Sequence, residues 1–152
     1  MLELAIALAV WMVLSIGIFL LWQHTSNASV RLLTRQSAVE NARAAMDALV
    51  MNIQMSNNIV LETNNANVLR RLTLTERNPQ GILHDYIFEF TPGGNGRLLF
   101  GANEFASGIA SIYIVYVPGR RFNITVYTTC EEPFVVRGSV DARYKNVTVV
   151  VR

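Results

Sequence analysis

The chain reads as an α+β protein: one long N-terminal helix packed on a C-terminal antiparallel β-sheet. Three observations predict this. Leu4 to Trp22 is a run of 19 residues in which Ser15 is the only polar side chain. Apolar residues then recur at helical spacing up to Ile53. Beyond residue 58 the pattern changes to short alternating runs broken by turn residues. The expected organisation is a membrane-spanning helix over 1–26, an amphipathic continuation over 27–58 and a β domain over 59–152. The last two pack together as one globular unit.

A helix of 19 residues is about 28 Å long, close to the hydrocarbon thickness of a bilayer. Leu4, Leu8, Trp11, Leu14, Phe19 and Trp22 supply its apolar surface on all sides. A cleaved secretory signal would carry a basic start and a shorter apolar stretch. The visible chain has neither, so a retained span is favoured. Glu3 stands at the head of the run, and a charge beside a membrane span is a functional candidate by default.

The continuation has no Pro before Pro79 and no Gly between Gly17 and Gly81. Leu32, Val39, Ala42, Met46, Leu49 and Ile53 follow one another at steps of 7, 3, 4, 3 and 4. Those steps put them on one helical face, predicted to pack on the sheet. The opposite face carries Arg35, Glu40, Arg43, Asp47 and Gln54. Residues 23–30 are poor helix formers, leaving a continuous, bent or loosened helix open there. Ser56, Asn57 and Asn58 offer a stop.

The β domain is predicted as one sheet of about five or six antiparallel strands. Leu72 and Leu74 alternate with Thr73 and Thr75. Tyr86, Phe88 and Phe90 share a face. Residues 91–96 have hairpin-turn chemistry, and Arg97–Phe100 is the return strand. Residues 109–117 are apolar on both faces and read as a central strand. Residues 122–129 and 144–151 complete the set. The expected linkers are 62–68, 101–108 and 130–143.

Composition excludes several functions. Of 152 residues, 13 are Lys or Arg and 11 are Asp or Glu, giving a net charge of +2. Lys145 is the single lysine, and Arg70-Arg71 and Arg120-Arg121 are isolated pairs, so no basic surface for nucleic acid emerges. One cysteine, Cys130, excludes an internal disulfide and a cysteine-built metal site; it reads as a small, partly buried apolar residue, with an intermolecular bridge as the lesser alternative. His84 and Asp85 are adjacent, which on a strand points them to opposite faces. His24 sits at the membrane border. The glycines near residue 94 lack the Lys-Ser/Thr and helix of a phosphate loop. Glu131-Glu132 do not have the spacing of a calcium loop. No catalytic, cofactor or metal constellation is present. Asn27, Asn123 and Asn146 each begin an Asn-X-Ser/Thr triplet, a pattern common by chance and meaningful only in a eukaryotic secretory context.

The first ten residues, from Met1-Leu2-Glu3-Leu4 to Val10, resemble the start of mature type IV pilins, where the family reads roughly Phe-Thr-Leu-Ile-Glu-Leu-Leu-Val-Ala-Leu. Glu3 matches the family's glutamate. The stretch from Gln36 to Leu49 is similar to the soluble helix of minor pilins and pseudopilins of the PilW/J type. Beyond residue 56 the likeness is architectural. The resemblance implies a non-enzymatic filament subunit of a type IV pilus, a type II secretion system or a DNA-uptake fibre. It implies no cofactor. Its implied partners are other pilins, a prepilin peptidase, an assembly platform membrane protein and membrane lipid, with no nucleic acid bound directly. In the family, the glutamate pairs with the N-terminal amine of an adjacent subunit and sets axial register.

The resemblance places the chain in the cell membrane as a single-pass protein with its C-terminal domain extracytoplasmic, and later in a filament. The visible charges argue the other way: every Lys and Arg follows the span, the nearest at Arg31. A basic leader before Met1, as pilin precursors have, reverses that conclusion. The rival reading is a single-pass, membrane-anchored β-rich binding or sensor domain in which Glu3 is incidental.

Overall fold

A computed structural model describes residues 2–77, 82–92, 96–119, 121–130, 133–141 and 145–151. It contains one helix, α1 (Leu2–Met55), and nine strands: β1 (Asn58–Thr63), β2 (Leu69–Arg77), β3 (Leu83–Thr91), β4 (Arg97–Phe100), β5 (Asn103–Ser107), β6 (Ile109–Val117), β7 (Arg121–Thr128), β8 (Val135–Asp141) and β9 (Asn146–Val151). The chain divides into two compact units, Met1–Gln36 and Ser37–Arg152. The helix contributes to both.

The weak helix formers at 23–30 do not interrupt α1. Thr25, Ser29 and Thr34 each donate a side-chain hydroxyl to the carbonyl four residues back, at 2.8, 2.9 and 2.9 Å. The hydroxyls that would compete with helical backbone are thereby absorbed by it. The helix ends at Met55. Ser56 donates both its amide and its hydroxyl to the Asn52 carbonyl, at 3.1 and 2.7 Å. The last turn of α1 carries no basic residue. Lys145, 91 positions after Gln54, instead donates its ammonium to the carbonyls of Gln54 (2.8 Å) and Ser56. Those carbonyls have no helical partner, and a cation there complements the helix dipole. Burial lowers the Lys145 pKa below its ordinary 10.5, and the nearby Asp141 carboxylate pulls it back up.

The β region is two sheets, not the single sheet predicted. One has six strands in the order β5-β4-β3-β2-β1-β9, and the other three in the order β6-β7-β8. All pairs are antiparallel except β1·β9, which is parallel. The sequence shows strands but carries no mark of their pairing, and the crossover that makes β9 parallel to β1 joins segments far apart in the chain. Two of the expected linkers contain strands: 103–107 forms β5 and 135–141 forms β8. The third, 62–68, narrows to a hairpin loop. There the Asn64 side-chain oxygen accepts from the amides of Ala66 (3.0 Å) and Val68 (2.9 Å), and Asn67 takes a left-handed φ of 59°. The 83–91/97–100 hairpin forms as predicted, with Thr91 opposite Arg97; its tip lies outside the described residues.

The central strand of the smaller sheet is β7, not the more apolar β6. The outer flank of β6 is engaged by the β1–β2 loop: the Ile114 amide donates to the Asn67 carbonyl at 3.1 Å, and Val68 bridges Tyr113. That contact covers part of the open edge of β6.

One core serves the whole unit. Ala42, Ala45, Met46, Leu49 and Ile53 of α1 join Ile59, Leu61, Leu72, Leu74, Phe88, Phe90 and Leu98 of the large sheet. Leu69, Ala106 and Ile109 belong to it too, as do Ile112, Ile114, Phe122, Ile124, Val126 and Val140 of the small sheet. A fully buried Leu or Phe contributes about 1.5–3 kcal/mol relative to exposure. Two glycines permit close approach. A Cβ on Gly96 would lie 2.0 Å from the Ile109 carbonyl oxygen, and one on Gly138 would lie 2.8 Å from the Met46 sulfur.

Candidate functional site: the apolar helix surface

From Leu2 to Gln36 every residue whose side chain is described is exposed. Leu4, Leu8, Trp11, Leu14, Phe19 and Trp22 are all among them, with Trp11 at 73%. A soluble domain does not leave so large a contiguous apolar surface bare; such a surface marks contact with lipid or protein. The helix is long and apolar enough to cross a membrane. Ser15 fits that environment because its hydroxyl donates to the Trp11 carbonyl at 2.8 Å, so no donor is left facing hydrocarbon. Phe19 and Trp22 lie with ring centroids 6.4 Å apart near the end of the apolar run.

Glu3 occupies the first turn of α1, where an acid is favoured by the helix dipole. It is exposed, as are its neighbours Leu2 and Leu4.

The predicted packing face divides. Ala42, Met46, Leu49 and Ile53 are buried, and Val39 is half-buried. Ala38 and Ala45, which the step rule omitted, are buried as well. Leu32 is a correction: it is 66% exposed and belongs to the N-terminal unit. Its phase matches the stripe, but periodicity reports which residues share a face and not how far along the helix that face is covered. Along the buried half, Asn41 donates its amide to the Ser107 carbonyl at 3.2 Å, and the Arg43 guanidinium lies 5.9 Å from the Phe134 ring centroid.

Residues that might have carried chemistry are apart. His24 and His84 are exposed, Cys130 is half-buried with a free thiol, and Asp85 accepts from the Thr75 hydroxyl at 2.7 Å. Glu131 and Glu132 lie outside the described residues. Among the described residues no three His, Cys, Asp or Glu side chains gather as a metal site. The buried Thr63 hydroxyl has no hydrogen-bond partner among them, at the end of β1 where the β1–β2 register shifts.

No protein-family model matches the chain, and neither the curated proteins nor the solved structures contain a match.

Proposed function

We propose that the protein is a minor pilin or pseudopilin, a non-enzymatic subunit that assembles through its N-terminal helix. The observation that carries this reading is the bare apolar surface of α1 headed by a single carboxylate, Glu3, and continuous with the helix that helps build the β core. Such a subunit is held in the membrane by the apolar segment with its β domain extracytoplasmic. It leaves lipid for a filament by exchanging lipid contacts for the helices of neighbouring pilins, so the apolar area stays covered throughout. A carboxylate in that bundle is costly unless it is paired. The amine of an adjacent subunit is the partner that would make Glu3 a register mark. A prepilin peptidase and an assembly platform complete the machinery this reading requires.

The test is Glu3→Ala in the native cell, on the precursor. Membrane insertion and the β unit should be unaffected, whereas cross-linking to neighbouring pilins should fall at least tenfold. Glu3→Asp should retain part of the cross-linking, because the carboxylate is kept but drawn back. Undiminished cross-linking of Glu3→Ala would make the carboxylate incidental and favour an anchored binding or sensor domain.

A further inference from the structure

The edge of a sheet is a row of unpaired N–H and C=O groups, and folded proteins guard such edges with charges, Pro, bulges or a covering segment. Every edge of the two sheets has such a device except one. At β5, Glu104 pairs with Arg97 and a register shift interrupts the ladder. Edge strand β8 carries Arg137 and Asp141. Part of β6 is covered by Asn67 and Val68 of the β1–β2 loop. The exception is β9, the terminal strand of the larger sheet, with no strand on its outer side among the described residues. Asn146-Val-Thr-Val-Val-Val151 holds no charge, Pro or Gly, and its ladder with β1 has no register shift.

Two properties of β9 fall on the same three residues. The Asn146 amide donates to the Asn57 carbonyl at 2.9 Å. Successive residues of a strand aim their N–H and C=O groups to alternate sides, so Asn146, Thr148 and Val150 bond to β1. Val147, Val149 and Val151 therefore present theirs to the open side. The same three valines lie on the core face, because their register partners Ile59, Leu61 and Thr63 are all buried. Yet Val149 and Val151 are 43% and 55% exposed. The inward row of the sheet thus runs out at β9 with apolar side chains still uncovered.

We propose that β9 is a pairing surface for a second copy of this chain, edge to edge and antiparallel, with Val149 opposite Val149. That register sets Val147 opposite Val151 and Val151 opposite Val147. Each outward N–H and C=O then meets a counterpart, giving about six hydrogen bonds. The inward valines of each copy cover those of the other, as cross-strand pairs on one face do. A shift of one residue would set inward side chains against outward ones, so the register is specified. A two-fold contact brings each residue towards its own kind, and a charged strand would meet like charge across the axis. The uncharged β9 meets none.

Six residues span about 20 Å, and one strand pair covers less than the roughly 1,200 Å² of a stable interface. The dimer is therefore a transient one, populated at high concentration. Its two-fold axis stands normal to the sheet, and the part of α1 in the core packs on that sheet, so the two helices run in opposite directions. The contact is distinct from the codirectional packing of α1 proposed above and does not rest on it.

The experiment is disulfide trapping of the full chain in detergent, with Cys130→Ser so that each introduced cysteine is the only thiol. In the proposed register the two Val149 Cα atoms lie about 5.5 Å apart, a separation that a disulfide spans. Under mild oxidation Val149→Cys should form a linked dimer at least tenfold faster than Thr148→Cys, which lies on the outer face and is offset from its own copy. A mixture of Val147→Cys and Val151→Cys should link as a heterodimer, whereas each alone should link at least tenfold more slowly. Adding Val149→Lys to that mixture should slow the linkage at least tenfold, while the tyrosine melt of the β unit stays unchanged. Faster linkage of Val147→Cys to itself than to Val151→Cys would show codirectional, helix-driven association and overturn the proposal. Equal linkage at Thr148→Cys and Val149→Cys, or no dimer at any position, would overturn it as well.

Discussion

Leu32→Ala and Leu49→Ala form a paired test of where the helix stops contributing to the core. Both residues belong to the apolar stripe predicted by spacing, and both lose the same three carbons. Leu49 is fully buried and Leu32 is 66% exposed. A buried Leu→Ala substitution costs about 2–5 kcal/mol, the transfer term plus the cavity left behind. For a unit of this size each kcal/mol lowers Tm by roughly 3–6 °C, so a loss of about 3 kcal/mol should lower it by roughly 10–15 °C. An exposed substitution is expected within about 0.5 kcal/mol, a Tm change of no more than ~3 °C. The near-ultraviolet circular dichroism of tyrosine is the appropriate signal. All five tyrosines follow residue 85 and both tryptophans precede residue 23, so the tyrosine band reports the β unit. The measurement uses the full chain in detergent. Equal destabilisation by the two substitutions would refute the division of the stripe; no destabilisation by Leu49→Ala would refute the helix's place in the core.

Four further outcomes are expected. Met46→Asp should cost several kcal/mol by placing a carboxylate beside Leu49 and Ile53 in the core, seen as loss of the tyrosine signal at ambient temperature. Gly96→Ala should destabilise more than Gly138→Ala in thermal melts, because the first meets a backbone carbonyl and the second only the flexible Met46 side chain; Met46→Ala should relieve part of the second effect and none of the first. Lys145 has a folded pKa below 10.5, so the unfolded chain binds more protons between the two values, and this residue adds stability as pH rises through that window towards 10.5; the Tm difference between the native chain and Lys145→Arg should move in favour of the native chain there. The protein should remain with membranes through high salt and alkaline carbonate, and release by carbonate would count against a spanning α1.

The parts of the fold legible in the sequence are those fixed by local pattern. An unbroken apolar run of 19 residues specifies a helix long and apolar enough to cross a membrane, and a 3-and-4 spacing specifies which face of its continuation turns inward. Ala42, Met46, Leu49 and Ile53 follow from that spacing alone, and the Thr91–Arg97 hairpin follows from its turn residues. What was not legible is set by contacts between distant segments. The parallel β1·β9 pair, the split into two sheets and the contact of Asn67 and Val68 with Ile114 and Tyr113 of β6 all join segments far apart in the chain. Lys145 at the end of α1 is of the same kind: a lone lysine 91 positions after Gln54 carries no sequence sign that it completes that helix.

The same distinction explains why the candidate site could be read in advance although nothing in the fold encloses it. A catalytic centre needs distant residues brought to within hydrogen-bond distance, and local pattern cannot report that. A lipid- or helix-packing surface needs only a run of apolar side chains on a helix that stays helical, which is a local property. The feature that keeps it helical was nevertheless missed: Thr25, Ser29 and Thr34 look like helix breakers by composition and act as helix-compatible residues by bonding backward. Replacing them together with Gly would remove those bonds and add a backbone entropy cost of about 1 kcal/mol each. The tyrosine melt of the β unit should be unchanged, since its core holds none of the three. If the protein is the filament subunit proposed and its apolar surface works as an extension of a rigid helix, cross-linking to neighbouring subunits should fall, as is expected for Glu3→Ala. Cross-linking that survives the triple glycine variant would mean that the apolar segment and the β unit need no continuous helix between them.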